Sequence, residues 1–384
     1  MGCVLRLRKS TVTDEGVQAQ HVVDVDADLK DNKFLNDTMM PLLGRNYVYP
    51  GNITTIKKEF VVELNELIRP MRPAHRVHLA LDSSIGRALF IRDLTLLPRP
   101  KFVPNAPLAA PSSCITVEIK PKCGFVPCSK YLSDQTSDIK LHNCRYCMHQ
   151  QLKLKDGSIH HISSYCPLDL FSGDAERQRR AIRALIECPQ NNLKIYKDGQ
   201  LFYTGTLGGG EKARKDILTL FPDELVASQS HDDTAARLVE TVVTILQKEK
   251  DVLNNLLKAQ QYDDMDIEAI YYLYTLLLQR QQQDTSSLPN NYDDLDRFAS
   301  LKDITSEEAE RHIERYLIAT TAKDCSIMIA FAPDGINHQV AVVDLDAKKR
   351  ASIPSYFTTD RSIVQYFRGS SSGTAHQQCS LGRM

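Results

Sequence analysis

At 384 residues, with 42% hydrophobic and 25% charged side chains, the chain can bury a full core, is expected to form two lobes, and has the balance of an ordinary globular protein. A formal net charge of -1 excludes a molecule-wide field that draws it to nucleic acid or to an anionic membrane, so any anion site must come from local clusters of Lys and Arg. The apolar runs are too short to cross a bilayer and the first residues lack the apolar stretch of a signal peptide, so the 10 Cys are expected reduced, in cytoplasm and nucleus.

Gly2 follows Met1, but Arg6 stands where a myristoylation signal carries Ser or Thr. Residues 4–8 read as a short strand and 10–30 as polar loop. Phe60, Val61, Leu64, Leu67 and Ile68 have helical spacing within 57–68, and Pro70 and Pro73 end that helix. A short apolar run at 89–91 leads into Arg92-Asp93-Leu94. Five Pro between residues 98 and 111 mark an irregular connector, which puts the lobe boundary near 95–113. Residues 115–119 read as a strand and 144–154 as a helix. A second helix over 174–186 carries Asp174 as its cap. Lys197-Asp198-Gly199-Gln200 reads as the turn of a hairpin between 193–196 and 201–203.

Residues 234–257 and 265–278 read as helices. Ile267, Ile270, Tyr271, Tyr274, Leu277 and Leu278 form an apolar stripe on the second, which is core and not a cofactor box. Residues 279–294 are polar and low in complexity. A helix with acidic residues in its first turn spans 306–319. The tail after Arg368, rich in Ser and Gly, is expected to be disordered. There is no internal repeat.

Asp324 heads the strand-like run 325–331 and Asp344 closes the run 340–343. Pro333-Asp334-Gly335 between them reads as a turn. Folding on that turn brings Asp324 roughly opposite Asp344. Carboxylates that close repel unless a cation or proton lies between them, which suits Mg²⁺-assisted chemistry on phosphate. A solvated polar hairpin end fits the same residues.

Glu118-Ile119-Lys120-Pro121-Lys122 places Glu118 and Lys120 on one strand face, with Lys122 able to return to that side; edge-strand protection by Lys is the bland alternative. On a helix, Arg145, His149 and Lys153 form one basic stripe, and Met148 and Leu152 take a different face. Cys144 and Cys147 make the only Cys-x-x-Cys pair. Cys123, Cys128, Cys166 and His142 lie nearby at irregular spacing, so buried thiols are favoured over structural zinc. In Gln190-Asn191-Asn192-Leu193-Lys194 the Asn amides and Lys194 either cap the preceding helix or meet a polar ligand. Lys348-Lys349-Arg350 follows Asp344 closely. No glycine-rich phosphate loop is present, and Gly208-Gly209-Gly210 lacks motif context.

Residues 118–125 (EIKPKCGF), 145–153 (RYCMHQQLK), 166–173 (CPLDLFSG), 190–196 (QNNLKIY) and 321–330 (TAKDCSIMIA), in this order, resemble the inositol-pentakisphosphate 2-kinase family. The resemblance runs over nearly the whole chain, from residue 4 to residue 367. It implies a two-lobed, kinase-like α+β fold: an N-terminal lobe over 1–110 with a hinge at 92–94, a C-terminal catalytic lobe over 111–368 enlarged to hold inositide, and a tail over 369–384. It implies a monomer that uses ATP and Mg²⁺ to phosphorylate the 2-hydroxyl of inositol 1,3,4,5,6-pentakisphosphate, giving inositol hexakisphosphate. Asp324 resembles the base and a metal contact, Asp344 the Mg²⁺ ligand, and Lys120 a group beside the transferring phosphate. Lys120, Lys122, His149, Lys153, Asn192, Lys194, Lys348 and Tyr356 match inositide contacts, with Arg76 reaching across the cleft. Arg6, Arg92, Asp93, Leu94 and Glu118 match the ATP side. The family's first strand and glycine-containing loop have no counterpart after Met1, so the N-lobe is expected to be truncated; a catalytically impaired inositide-binding scaffold is the alternative. Residues 278–295 hold no Cys or His where the plant members' zinc site falls.

Overall fold

The computed structural model describes residues 3–7, 9–11, 27–72, 77–98, 113–127, 131–205, 220–221, 231–282, 298 and 300–370. Arg76, Cys128, the triple-glycine segment, the connector over 99–112 and the tail beyond Ser370 lie outside them. The fold is α+β and every strand pairing is antiparallel.

The strands before residue 98 are β1 (Cys3–Arg6), β2 (Lys9–Thr11), β3 (Asn52–Thr55), β4 (Leu79–Leu81) and β5 (Arg87–Arg92). They form a three-stranded sheet, β1-β5-β3, and a β2-β4 pair. The helices of this part are α1 (Ala27–Phe34), α2 (Met40–Leu43), with a π-helical turn over Leu35–Met39 between them, and α3 (Lys58–Ile68). Two details correct the reading of 10–30 as loop: Lys9–Thr11 pairs with β4, and α1 begins at Ala27.

Beyond residue 113 the centre is a five-stranded sheet of β6 (Ile115–Ile119), β7 (Leu193–Lys197), β8 (Gln200–Thr204), β9 (Ser326–Phe331) and β10 (His338–Val343), in the order β10-β9-β6-β7-β8. β6 is the middle strand and all five of its residues are buried. That overturns edge protection as the reason for Lys120, because the strand leading to it has neighbours on both sides. Ile115, Val117, Ile119, Ile195, Ile327 and Ile329 fill the core on one face.

The covering helices are α4 (Asp134–Lys140), α5 (Arg145–Lys155), α6 (Pro167–Leu170), α7 (Ala175–Glu187), α8 (His231–Lys248), α9 (Lys250–Gln260), α10 (Asp266–Gln282), α11 (Ser306–Lys323) and α12 (Ile353–Ser370). Asp174 caps α7 as read, its carboxylate accepting from the Arg177 N–H at 2.8 Å. The single helix expected over 234–257 is two. Glu249 leaves the helical region at φ -97 and ψ 37, and its carboxylate accepts from Tyr47 Oη at 2.9 Å. No Gly or Pro marks that break, so the sequence was silent about it. Met39, Leu43, Tyr47 and Val48, early in the chain, share the core of the five-stranded sheet. Tyr47 O also accepts from the Val342 N–H at 2.7 Å. The last helix continues past Arg368 to Ser370.

Candidate active site

The β9–β10 hairpin forms as expected, but its register corrects the proposed pairing. Ser326 stands opposite Val343, so the ladder, extended one step, sets Asp344 across from Cys325. Asp324 lies one residue further out, where it ends α11 at φ -116 and ψ 11. The turn itself is closed by Gly335 N–H donating to Ala332 O at 2.8 Å, with Gly335 at φ 72.

Two non-glycine residues beside this hairpin occupy the left-handed region: Asp344 at φ 60 and Lys122 at φ 62. Such backbone costs of order 1 kcal/mol and persists where the surroundings hold it. Both bends turn the chain out of the sheet at the same end, just past β10 and β6.

At that end Glu118, buried on β6, gathers three partners. Lys194 Nζ reaches its two oxygens at 3.2 and 3.1 Å, Tyr196 Oη donates to it at 2.8 Å, and Ser326 Oγ lies 3.2 Å away. The same Ser326 Oγ is 3.4 Å from Asp344 Oδ2. One hydroxyl has one proton, so it serves only one of the two carboxylates at a time. Carboxylate and hydroxyl oxygens are the donors that Mg²⁺ takes, and Asp344 is exposed to accept an ion. The residues present therefore fit that metal.

A cavity of about 350 Å³ opens beside this cluster, lined by Lys122, Arg145, His149, Lys153, Asp324 and Lys348 among others, with Tyr356 on its wall. Lys348 Nζ donates to Asp324 Oδ2 at 2.6 Å. The cations crowd one another. Burial, against the pull of Asp324 and aided by Lys120 and Lys153, pushes Lys122 down to about 8. Burial together with Lys153, Arg145 and Lys122 pushes His149 down to about 3, and burial and Arg145 lower Lys153. A cavity that lowers the affinity of its own bases for protons is one that gains from a bound anion.

Six of the residues that the resemblance marks as site residues thus share this cavity, Lys122, His149, Lys153, Asp324, Lys348 and Tyr356, together with Arg145 of the basic stripe. Glu118, Lys194 and Asp344 form the neighbouring oxygen cluster. Lys120 is half-buried just past β6, and its N–H donates to Asn192 O at 2.9 Å. Asn192 is buried, its Nδ2 donates to Tyr146 Oη at 3.0 Å, and its Oδ1 has no partner among the described residues. Gln190 Nε2 donates to Gln150 Oε1 and to His161 O. Arg6, on β1, pairs with Asp346, Nη1 donating to Oδ1 at 2.8 Å and Nη2 to Oδ2. Arg92 Nη2 donates to Gln339 Oε1 at 2.8 Å, Asp93 accepts from the Thr95 N–H and hydroxyl, and Leu94 is half-buried. Sequence reasoning missed the Arg6–Asp346 pair, which ties β1 to the segment after β10. It also missed Asp360.

Two further donor sets lie apart from the oxygen cluster. Cys144, Cys147 and Cys166 are buried with their Sγ atoms within 4.8 Å of one another, sulfur donors of the kind that zinc takes. The fold supplies Cys166 from the segment before α6, which spacing alone did not show. Asp266, Glu268 and Asp360 also converge, but around Lys140 Nζ, at 2.6, 2.9 and 2.6 Å.

The family model described as inositol-pentakisphosphate 2-kinase matches residues 1–362. Inositol-pentakisphosphate 2-kinase IPK1 of Oryza sativa subsp. japonica is 34% identical over 347 residues, covering 85% of this chain and 75% of the relative. The inositol-pentakisphosphate 2-kinase of Danio rerio is 31% identical, covering 86% of this chain and 81% of the relative. That of Arabidopsis thaliana is 30% identical, covering 96% and 88%. A match over nearly the whole length, on a chain whose cation-lined cavity adjoins two exposed aspartates, places this protein in the inositol-pentakisphosphate 2-kinase family.

Proposed function

We propose that the chain transfers the γ-phosphate of ATP to the axial 2-hydroxyl of inositol 1,3,4,5,6-pentakisphosphate, giving inositol hexakisphosphate and ADP. The observation that carries this reading is the cavity where Lys122, Arg145, His149, Lys153 and Lys348 stand around Asp324. Five phosphates carry roughly -8 to -10 charges near neutrality, and a chain of formal net charge -1 can hold them only by such local concentration.

Asp324 acts as the base. Its carboxylate is exposed and held by Lys348, whose ammonium is drawn to substrate phosphate when the inositide enters. The 2-hydroxyl oxygen then bonds to the γ-phosphorus, its proton passes to an Asp324 oxygen, and the bond from the γ-phosphorus to the β,γ-bridging oxygen breaks toward ADP. Lys120 neutralises the group in flight, and Lys122, His149, Lys153, Asn192, Lys194 and Tyr356 fix the remaining phosphates. Asp344, with Asp324, would hold Mg²⁺, which supplies positive charge to the nucleotide phosphates. Arg6, Arg92, Asp93, Leu94 and Glu118 form the nucleotide side.

The reading is of two lobes, 1–110 and 111–368. Separate sheets before residue 98 and after residue 113, bridged by Arg6–Asp346 and Arg92–Gln339, support it. The unpaired thiols of Cys3, Cys114, Cys123, Cys188 and Cys325 support a reducing compartment, cytoplasm and nucleus. No helix among the described residues is long and apolar enough to cross a membrane.

The test is transfer of label from γ-³²P-ATP to the pentakisphosphate, with the product resolved by anion exchange. Labelled hexakisphosphate supports the reading. Tight inositide binding without transfer, in folded protein, replaces it with the scaffold.

A further inference from the structure

Arg145 opens α5 and its side chain is 44% exposed at the cavity, one turn before His149 and two before Lys153. Arg145 and Lys153, on one stripe either side of His149, repel, so an unrestrained guanidinium there turns toward water. It is restrained at one edge only. Arg145 Nε donates to Asp360 Oδ1 at 3.2 Å, and among the described residues neither Nη group has a protein partner. Asp360 lies on α12 and is 5% exposed. Its other oxygen, Oδ2, is 2.6 Å from Lys140 Nζ.

Lys140 is itself fixed. Its side chain is 3% exposed, and its ammonium also meets Asp266 and Glu268 at the start of α10. Glu268 is tied back to the start of α4 by the Thr136 hydroxyl at 2.6 Å and the Ser133 N–H at 2.8 Å. Three helices therefore meet at one buried ammonium, and among the described residues Asp360 is the only one of its three carboxylates bonded onward to a second cation at the cavity, on a fourth helix. Burial opposes the charge on Asp360, yet Lys140 and Arg145 keep it below the ordinary carboxylate value.

We propose that Asp360 is a positioning residue for inositide binding: anchored on Lys140, it holds the Nε edge of Arg145 so that both Nη groups face a phosphate of the substrate. A guanidinium presented edge-on makes two parallel bonds to one phosphate, which a freely rotating one makes at an entropic cost. The proposal rests on the kinase reading and adds to it a residue that touches no substrate.

The experiment is a double-mutant cycle on the full chain with Asp360→Asn, Arg145→Ala and the pair, read by steady-state kinetics and melting. Asp360→Asn should raise the KM for the pentakisphosphate about tenfold, the value of one charge-assisted hydrogen bond, with kcat within about twofold and the KM for ATP unchanged. Arg145→Ala should raise it at least as far, and the pair no further than Arg145→Ala alone. A purely structural role would lower the melting temperature and add to Arg145→Ala. Additive effects, or an unchanged inositide KM in Asp360→Asn, would overturn the proposal. Should Asp360→Asn fail to fold, Asp360→Glu replaces it. Glu keeps the charge on Lys140 but displaces the carboxylate by one methylene, and the same cycle must again be non-additive. A wild-type chain that transfers no phosphate sinks the kinase reading itself, whereas an active wild type with an indifferent Asp360→Asn sinks only the positioning role.

Discussion

Asp324 owes its exposure to the point at which α11 stops. It stands two residues before β9 begins, outside the ladder, with half of its side chain in solvent and one oxygen on Lys348. Among the described residues its side chain bonds only Lys348, so its removal tests chemistry more than folding. Asp324→Asn should cut the rate of transfer by about 10²–10⁴-fold, the range for loss of a general base. Inositide affinity should hold or tighten, because a negative charge beside five phosphates is gone and Lys348 is released. A large loss of affinity, measured by calorimetry, would make Asp324 structural. Lys122 yields a second prediction. Burial, with Lys120 and Lys153 beside it, brings its ammonium down to about 8, and bound phosphate raises that value. The free protein therefore enters binding uncharged at Lys122 above pH 8 and charged below it. Inositide affinity should fall as pH rises past about 8, with proton uptake on binding seen as a buffer-dependent heat at pH 8.5. Lys122→Met should flatten that decline.

Helix α5 carries two jobs on two faces. Cys147, Met148 and Gln150 are buried, while Arg145, His149 and Lys153 border the cavity. His149 is kept neutral down to about pH 3 by burial and by the cations beside it, whereas an unfolded chain protonates it near 6.5. The unfolded state then binds the extra proton, so the stability that neutral His149 permits is whole above about pH 6.5 and is lost as pH falls toward 3. Urea titrations between pH 7 and 4 should show this loss, His149→Gln should reduce it, and pentakisphosphate should reverse it by favouring the imidazolium. A slope unchanged in His149→Gln would refute it.

The stripe was legible in sequence because i, i+4, i+8 spacing survives any packing, and so were α7 with its Asp174 cap and the Asp198-Gly199 hairpin. The break at Glu249 was not, since a tertiary bond from Tyr47 accompanies it rather than a helix-breaking residue. Nor was the centrality of β6, which is decided by pairing with β7 and β9, far along the chain. For the same reason Asp360, more than 200 residues from Arg145, left no local trace.

The charge of the whole molecule cancels to -1 while the cavity does not cancel, and that imbalance is stored in the unliganded fold. α5, the bend at Lys122 and the segment after β10 each bring cations to one place, and mutual repulsion among them loosens those elements. A polyanion removes the repulsion and ties them together. Pentakisphosphate at about 100 times its Kd should stabilise the folded chain by about 2.7 kcal/mol through mass action alone, a rise of a few degrees in melting temperature. The interaction is electrostatic over distances that salt controls, since the screening length falls from about 10 Å at 0.1 M to about 3 Å at 1 M. Two opposite trends should follow in fluorimetric melts. Raising sodium chloride should raise the melting temperature of the free protein, because it screens the crowded cations. At a fixed ligand concentration, the same salt should shrink the rise that pentakisphosphate gives. A shift indifferent to salt would mean that the inositide is held by shape and hydrogen bonds, and that the gathering of Lys122, Arg145, Lys153 and Lys348 is not what binds it.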